Sequence, residues 1–316
     1  MKIRMGSGTF TYEVHPDWAR LPGGWRFLEV VDAAVDSEDR VYVFSRGEHP
    51  LTIFDREGKF LGSWGEGLFR RPHGITIGPD QTLYLADDGG HAIYQFTLDG
   101  KLKRTLGTPG KGSGFMSGQP FQQPTKVARD PQTGDLFISD GYGNARVHRF
   151  TEDGRYLSSW GEAGIDAGQF NLPHSVALDR DGRVFVADRE NLRIQIFDRQ
   201  GKFLTMWNNI HRPCALHIAG GGEERVYVGE LAPAYGFNQD NPNTGARISI
   251  YDLQGRLLAR LGDVRPGEGP HQFLAPHGIA VDSRGDIYVG EVNWSFRGKN
   301  LSPPRELPTF RKLVKV

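Results

Sequence analysis

One phrase recurs six times along the chain and constrains the fold more than any other feature. It is an apolar strand start, a turn that often holds Asp-Gly, an apolar strand, and then an acid. Arg71-Pro72-His73-Gly74-Ile75-Thr76-Ile77 leads to Leu83-Tyr84-Leu85-Ala86-Asp87, and Gln123-Pro124-Thr125-Lys126-Val127-Ala128 to Leu136-Phe137-Ile138-Ser139-Asp140. Leu172-Pro173-His174-Ser175-Val176 leads to Val184-Phe185-Val186-Ala187-Asp188, and Arg212-Pro213-Cys214-Ala215-Leu216 to Val226-Tyr227-Val228-Gly229-Glu230. Ala275-Pro276-His277-Gly278-Ile279 leads to Ile287-Tyr288-Val289-Gly290-Glu291. A first copy without the proline runs from Val31-Asp32-Ala33-Ala34-Val35 to Val41-Tyr42-Val43-Phe44-Ser45.

Most copies continue into a third strand, such as Ile194-Gln195-Ile196-Phe197, and a fourth ending in Trp-Gly or Leu-Gly, such as Phe203 to Trp207. Short strands separated by glycine turns, repeating every 40 to 63 residues, predict an all-β fold: a six-bladed β-propeller with four-stranded blades. The 42 glycines are about twice the usual share of roughly 7 per cent, as a turn-rich fold requires. No linker breaks the rhythm, so residues 1–316 read as one domain. The sixth copy is short of a strand, and Thr9 to Val14 has strand-like alternation. That N-terminal segment is expected to supply the outer strand of the last blade and close the ring. Two insertions, Ala232 to Thr244 and Asn293 to Pro308, follow the acids of blades five and six and are expected on one rim.

Lys plus Arg and Asp plus Glu are each 38, which argues against a nucleic-acid or anionic-membrane surface. No apolar run is long enough to span a bilayer. Residues 1–10 lack the apolar stretch of a signal peptide, and the single cysteine fits a reducing compartment. A cytoplasmic location is expected.

The residue after the proline, or its counterpart, reads Asp32, His73, Thr125, His174, Cys214, His277 around the ring. Innermost strands border the channel, and alternate blades are a third of a turn apart. His73, His174 and His277 would therefore converge with near-trigonal geometry, the pattern of a three-His metal site with an open fourth position. Zinc or another divalent transition metal is the expected occupant. Cys214 fits inert packing better than ligation. The acids Asp87, Asp140, Asp188, Glu230 and Glu291 fit acceptors for loop N–H groups and arginines better than a functional ring. Beyond them stand Arg46, Tyr142 and Arg189. Two guanidiniums suit a carboxylate, and a phenol near a metal dication and Arg would have a lowered pKa and serve as a base. Position alone leaves a surface ion-pair network equally open. Gly110-Lys111-Gly112-Ser113-Gly114 precedes no helix and reads as a flexible loop rather than a phosphate cradle.

The stretches Val43-Phe44-Ser45-Arg46-Gly47-Glu48-His49, Arg71-Pro72-His73-Gly74, Ser139-Asp140-Gly141-Tyr142, Leu172-Pro173-His174-Ser175 and Ala187-Asp188-Arg189-Glu190-Asn191 carry a resemblance. From about Val30 to Glu291 the chain resembles the NHL-repeat propellers, and within them the peptidyl-α-hydroxyglycine α-amidating lyase family. The resemblance implies that His73, His174 and His277 hold a catalytic zinc and that Arg46, Tyr142 and Arg189 complete the site. It also implies cleavage of the C–N bond of an α-hydroxyglycine to an amide and glyoxylate, with the substrate carboxylate held by an arginine. Three positions depart from the family: Ala275 replaces a pocket methionine, Gly278 an acid that ligates a structural calcium, and Gly143 a disulfide cysteine. Calcium is therefore not expected, and the substrate is expected to be a small α-hydroxylated amide. The alternatives are a metal-dependent hydrolase of a lactone or ester at the same site, and a non-enzymatic scaffold that binds a partner through its rim.

Overall fold

A computed structural model of the chain describes residues 3–220, 222–233, 236–238 and 241–316. The fold is a six-bladed β-propeller of antiparallel blades, and in five of them four strands follow one another in chain order. Blade one runs Val30–Val35, Val41–Ser45, Leu51–Phe54 and Phe60–Trp64. Blades two to five begin at Pro72–Ile77, Lys126–Arg129, Pro173–Leu178 and Pro213–Ala219. The second strand of each blade is an uninterrupted apolar run because it is covered on both faces. Every residue of Leu83–Asp87, Leu136–Asp140 and Val184–Asp188 is buried. Fourth strands such as Leu102–Leu106 lie at the edge, and in that one only Leu106 is buried.

The turns are built by aspartates. Asp179 Oδ1 accepts the N–H groups of Asp181 and Arg183 while Gly182 N–H returns to the Asp179 carbonyl. Asp198, Asp252 and Asp282 repeat the pattern. Each supplies locally the acceptors that a reversing chain needs.

Packing divides the chain into two compact units, residues 1–66 with 219–316, and residues 67–218. In the first unit the sixth sheet runs Pro276–Val281, Ile287–Glu291, Phe310–Lys315, Phe10–His15 and Arg4–Ser7. The N-terminal segment closes the last blade as expected, with Tyr12 opposite Lys315 and Val14 opposite Leu313. A fifth strand outside it, Arg4–Ser7, was not foreseen, so Phe10–His15 is not the outermost strand. Trp18 packs against Phe54, Tyr288 and Phe310. In the second unit Tyr84, Phe121, Leu136 and Phe150 form one core cluster, and Phe137, Phe170, Val184 and Phe197 another.

The expected insertions both leave the ends of second strands in the first unit. Within the first, Ala234, Tyr235, Gln239 and Asp240 lie outside the described residues. The second folds into a short helix, Asn293–Phe296, and a 3₁₀ turn, Gly298–Asn300. No helix among the described residues is long and apolar enough to cross a membrane.

Tyr12 is fully buried. Replacing it with alanine is expected to destabilise the fold by about 3–5 kcal/mol, the usual cost of deleting a large core side chain. Chemical denaturation would read this as a lowered midpoint, and an unchanged midpoint would show that the N-terminal strand does not anchor the sixth sheet.

Candidate functional site

The three histidines share one local structure. In blades two, four and six the pairing of first and second strands slips where the histidine stands: between Pro72 and Ile75, Pro173 and Ser175, Pro276 and Gly278. Such a bulge leaves one residue outside the ladder and re-aims its side chain. Proline suits the position because it has no N–H to give the ladder. In blade one the same slip falls between Val30 and Asp32. The ring position there is therefore Val31, not Asp32. Without a proline the sequence offered no marker, and a one-residue shift moves a side chain to the opposite face.

Each imidazole is fixed the same way. His73 Nδ1 lies 2.8 Å from the Thr125 carbonyl, His174 Nδ1 2.8 Å from the Cys214 carbonyl, and His277 Nδ1 2.6 Å from the Val31 carbonyl. A carbonyl only accepts, so Nδ1 is the donor in all three. The Nε2 atom of each neutral ring then presents a lone pair, the tautomer a metal-binding histidine needs. The acceptors belong to the ring residues of blades three, five and one.

Within residues 67–218, four of the expected site residues come together. Tyr142 Oη lies 3.2 Å from His73 Nε2 and 3.1 Å from His174 Nε2. The two imidazole centroids are 4.7 Å apart. Both histidines are 2% exposed. Tyr142 stands on the turn that follows Leu136–Asp140. That turn reaches the His174 strand because Gly141 precedes it: a Cβ there would sit 2.3 Å from the Pro173 carbonyl oxygen. The Arg189 guanidinium lies 5.6 Å from the Tyr142 ring centre. Arg189 Nε donates to Glu190 Oε1 at 2.7 Å, and Glu190 also receives Arg212 at 2.8 Å. Burial would raise the Glu190 carboxyl, but Arg212 and Arg189 hold it below its usual range. Burial works against the Arg189 charge, yet Tyr142, Cys214 and Glu190 more than offset it.

The protein groups around Tyr142 do not by themselves acidify its phenol. Burial pushes it above its ordinary value, Arg189 and Arg71 oppose this, and Cys214 and Asp88 add to it. Cys214 is buried beside His174, Sγ to Nδ1 3.3 Å, and burial first of all pushes its thiol up to about 12. A neutral thiol packed on a ring agrees with the packing role.

In the other unit, Arg46 donates to the buried Glu29 at 2.7 Å, and Ser295, from the blade-six insertion, donates its N–H and hydroxyl to the same carboxylate at 2.7 Å. A cavity of about 610 Å³ there is lined by Trp25, Arg26, Arg46 and His49. The acids that end the second strands play the supporting part expected. Asp87 accepts the N–H groups of Arg70, Arg71 and Gly90, and Asp140 receives Gln122 N–H, Asn144 and His148. Glu230 pairs with Arg247 at 2.9 Å, and Arg311 with Glu291 at 2.8 Å. The position expected to lack a calcium ligand has no room for one: a Cβ on Gly278 would lie 2.2 Å from Asp32 Cα.

Sequence reasoning missed the groups that hold the site residues. Glu29 lies outside the repeat phrase and carries no motif. Glu190 and Arg71 were in plain view beside Arg189 and Pro72. Arg71 lies 5.2 Å from the Tyr142 ring centre on the face of the phenol and binds Asp88.

A family model described as NHL repeat matches residues 170–197. NHL repeat-containing protein 3 of Mus musculus is 37% identical over 89% of this chain and 85% of its own length. Peptidylglycine alpha-amidating monooxygenase of Rattus norvegicus is 29% identical over 92% of this chain, which spans only 32% of that protein. Peptidyl-alpha-hydroxyglycine alpha-amidating lyase 1 of Drosophila melanogaster is 32% identical over 81% of this chain and 50% of its own length.

Replacing Glu29 with alanine would remove a buried carboxylate that receives both Arg46 and Ser295. The expected loss of stability is about 3–5 kcal/mol, as for breaking other buried pairs. Denaturant unfolding checks this, and Arg46→Met in the Glu29→Ala background should recover most of it.

Proposed function

The chain belongs to the NHL repeat-containing protein family, and on that premise we propose that it is a metal-dependent lyase. It cleaves the C–N bond of a small α-hydroxylated amide, an α-hydroxyglycine-like carbinolamide. His73, His174 and His277 are the ligands of one divalent transition metal, zinc first. One observation carries the reading: His73 and His174 both direct Nε2 at the oxygen of one phenol while their Nδ1 atoms are tied to backbone carbonyls. His277 has the same bulge and the same tie. Neutral imidazoles presenting Nε2 are the donor set that suits a borderline-soft divalent ion. The likeness to the fly lyase gives the reaction type.

The reaction converts R–CO–NH–CH(OH)–COO⁻ into R–CO–NH₂ and glyoxylate. One proton passes from the hydroxyl to the departing nitrogen, and the C–N electron pair leaves with that nitrogen. A metal held by His73, His174 and His277 would supply Lewis acidity at the substrate oxygen. Tyr142 is the proton carrier: its phenol gives a proton to the departing nitrogen and, as the phenolate, takes the hydroxyl proton in return. Arg189 and Arg71 beside its ring stabilise the phenolate in between. Arg189 and Arg46 hold the substrate carboxylate, charge-paired and oriented beforehand by Glu190 and Glu29. Burial excludes the water that would compete for these contacts. The substrate is thus a carboxylate-bearing small molecule, and the protein acts in the cytoplasm.

Protein purified without chelator is expected to contain one transition metal per chain by elemental analysis and to release glyoxylate from α-hydroxyhippurate. His73→Ala and His174→Ala should each lose metal and at least the roughly 100-fold in activity that loss of an outer-sphere partner costs. Full turnover in metal-free protein would sink the reading. Ring-opening of lactones without glyoxylate release would favour a hydrolase.

A further inference from the structure

The second unit carries an apolar cavity of about 500 Å³ that opens beside Tyr142. Its wall includes Phe115, Met116, Ile165, Phe170 and Leu172 together with Tyr142. Phe170 is fully buried, but Phe115 and Ile165 are each 75% exposed and Met116 is 41% exposed. Large apolar side chains left in water around one concave site mark a place that something apolar covers.

The two lips are built rather than loose. Phe115 and Met116 follow directly on Gly110-Lys111-Gly112-Ser113-Gly114, which the sequence presents as a flexible loop. The structure ties the segment down: Met116 N–H donates to the Gly143 carbonyl, Gly118 N–H to Asn144 Oδ1, and Ser113 N–H to the Phe121 carbonyl. The first two anchors lie on the turn that carries Tyr142. Opposite, Ile165 is held by Arg193, which donates to its carbonyl at 2.7 Å and to Asp188 at 2.8 Å. Arg189 N–H in turn donates to the carbonyl of Leu172 on the cavity wall. Both lips are therefore fixed to the elements that present Tyr142 and Arg189.

We infer that this cavity is the acyl subsite: the preferred substrate carries a bulky apolar N-acyl group, aliphatic or aromatic, between Phe115–Met116 and Ile165. The assignment relies on the lyase reading only for which end of the substrate lies there. The carboxylate end needs the guanidiniums and the α-carbon needs Tyr142, so the end left for an apolar wall beside Tyr142 is the acyl chain. A pre-formed rim favours such a group because little ordering is lost when it binds.

Two measurements on the full-length, metal-containing protein test this separately from the reaction. Calorimetric binding of N-octanoylglycine against N-acetylglycine, neither of which has a hydroxyl to react, is expected to show the longer chain bound at least roughly tenfold more tightly, a modest return for six added methylenes. Turnover of the matching N-acyl-α-hydroxyglycines should show the same preference in KM rather than kcat. Phe115→Ser and Ile165→Ser, both at exposed positions, should bring the octanoyl-to-acetyl ratio towards one. Equal binding of the two chains, or a preference that neither variant reduces, overturns the assignment. Tight, variant-sensitive octanoyl binding without turnover keeps the subsite and removes the lyase reading instead.

Discussion

Everything at the inner ends of the histidine blades hangs on a carboxylate that closes each second strand. Asp87 takes the N–H groups of Arg70 and Arg71, Asp188 that of Asn171, and Glu291 those of Leu274 and Ala275. Each contact falls two or three residues before a histidine. The incoming loop is thereby set just ahead of the proline, the bulge follows, and the imidazole leaves the ladder at a defined point. Charge-assisted bonds to a buried carboxylate are worth about 1.5–3 kcal/mol each, enough to hold a short loop in one arrangement. The histidine positions depend on these acids.

The same economy governs the guanidiniums. Arg46 and Arg189 are both largely covered, and each has a carboxylate beside it, Glu29 and Glu190. A buried cation without such a partner is costly. The partner also keeps the guanidinium from wandering. Glu29 is a meeting point: it receives Arg46 from blade one and Ser295 from the insertion of blade six. The insertion, which in the sequence is only a break in rhythm, is part of what fixes Arg46.

The repeat was legible because a strand, a turn and an acid at regular intervals are all dictated locally. The three histidines were legible for the same reason, since proline marks the bulge that aims them. Blade one has no proline, and there the reading slipped by one residue, to Asp32 instead of Val31. Contacts between residues far apart in sequence left no local trace. Glu29 lies 266 residues before Ser295, and nothing near either position announces the other. The charged neighbours of the Tyr142 phenol can be read from the motifs, whereas its burial comes from tertiary packing. Arg4–Ser7 was missed because four residues with a single buried side chain carry almost no pattern.

The pairing of Phe10–His15 with Phe310–Lys315 has a consequence for how the molecule comes into being. During synthesis residues 10–15 leave the ribosome long before residues 310–315 and must wait for that partner. Blades two to four have all their partners within about fifty residues and can assemble as they emerge, but the sixth sheet cannot. Contacts so distant in sequence form slowly, and until they form the edge of residues 10–15 is open to other chains. Arrest of synthesis anywhere before residue 310 would leave that edge exposed, which makes the seam the point where the nascent protein is most in need of protection.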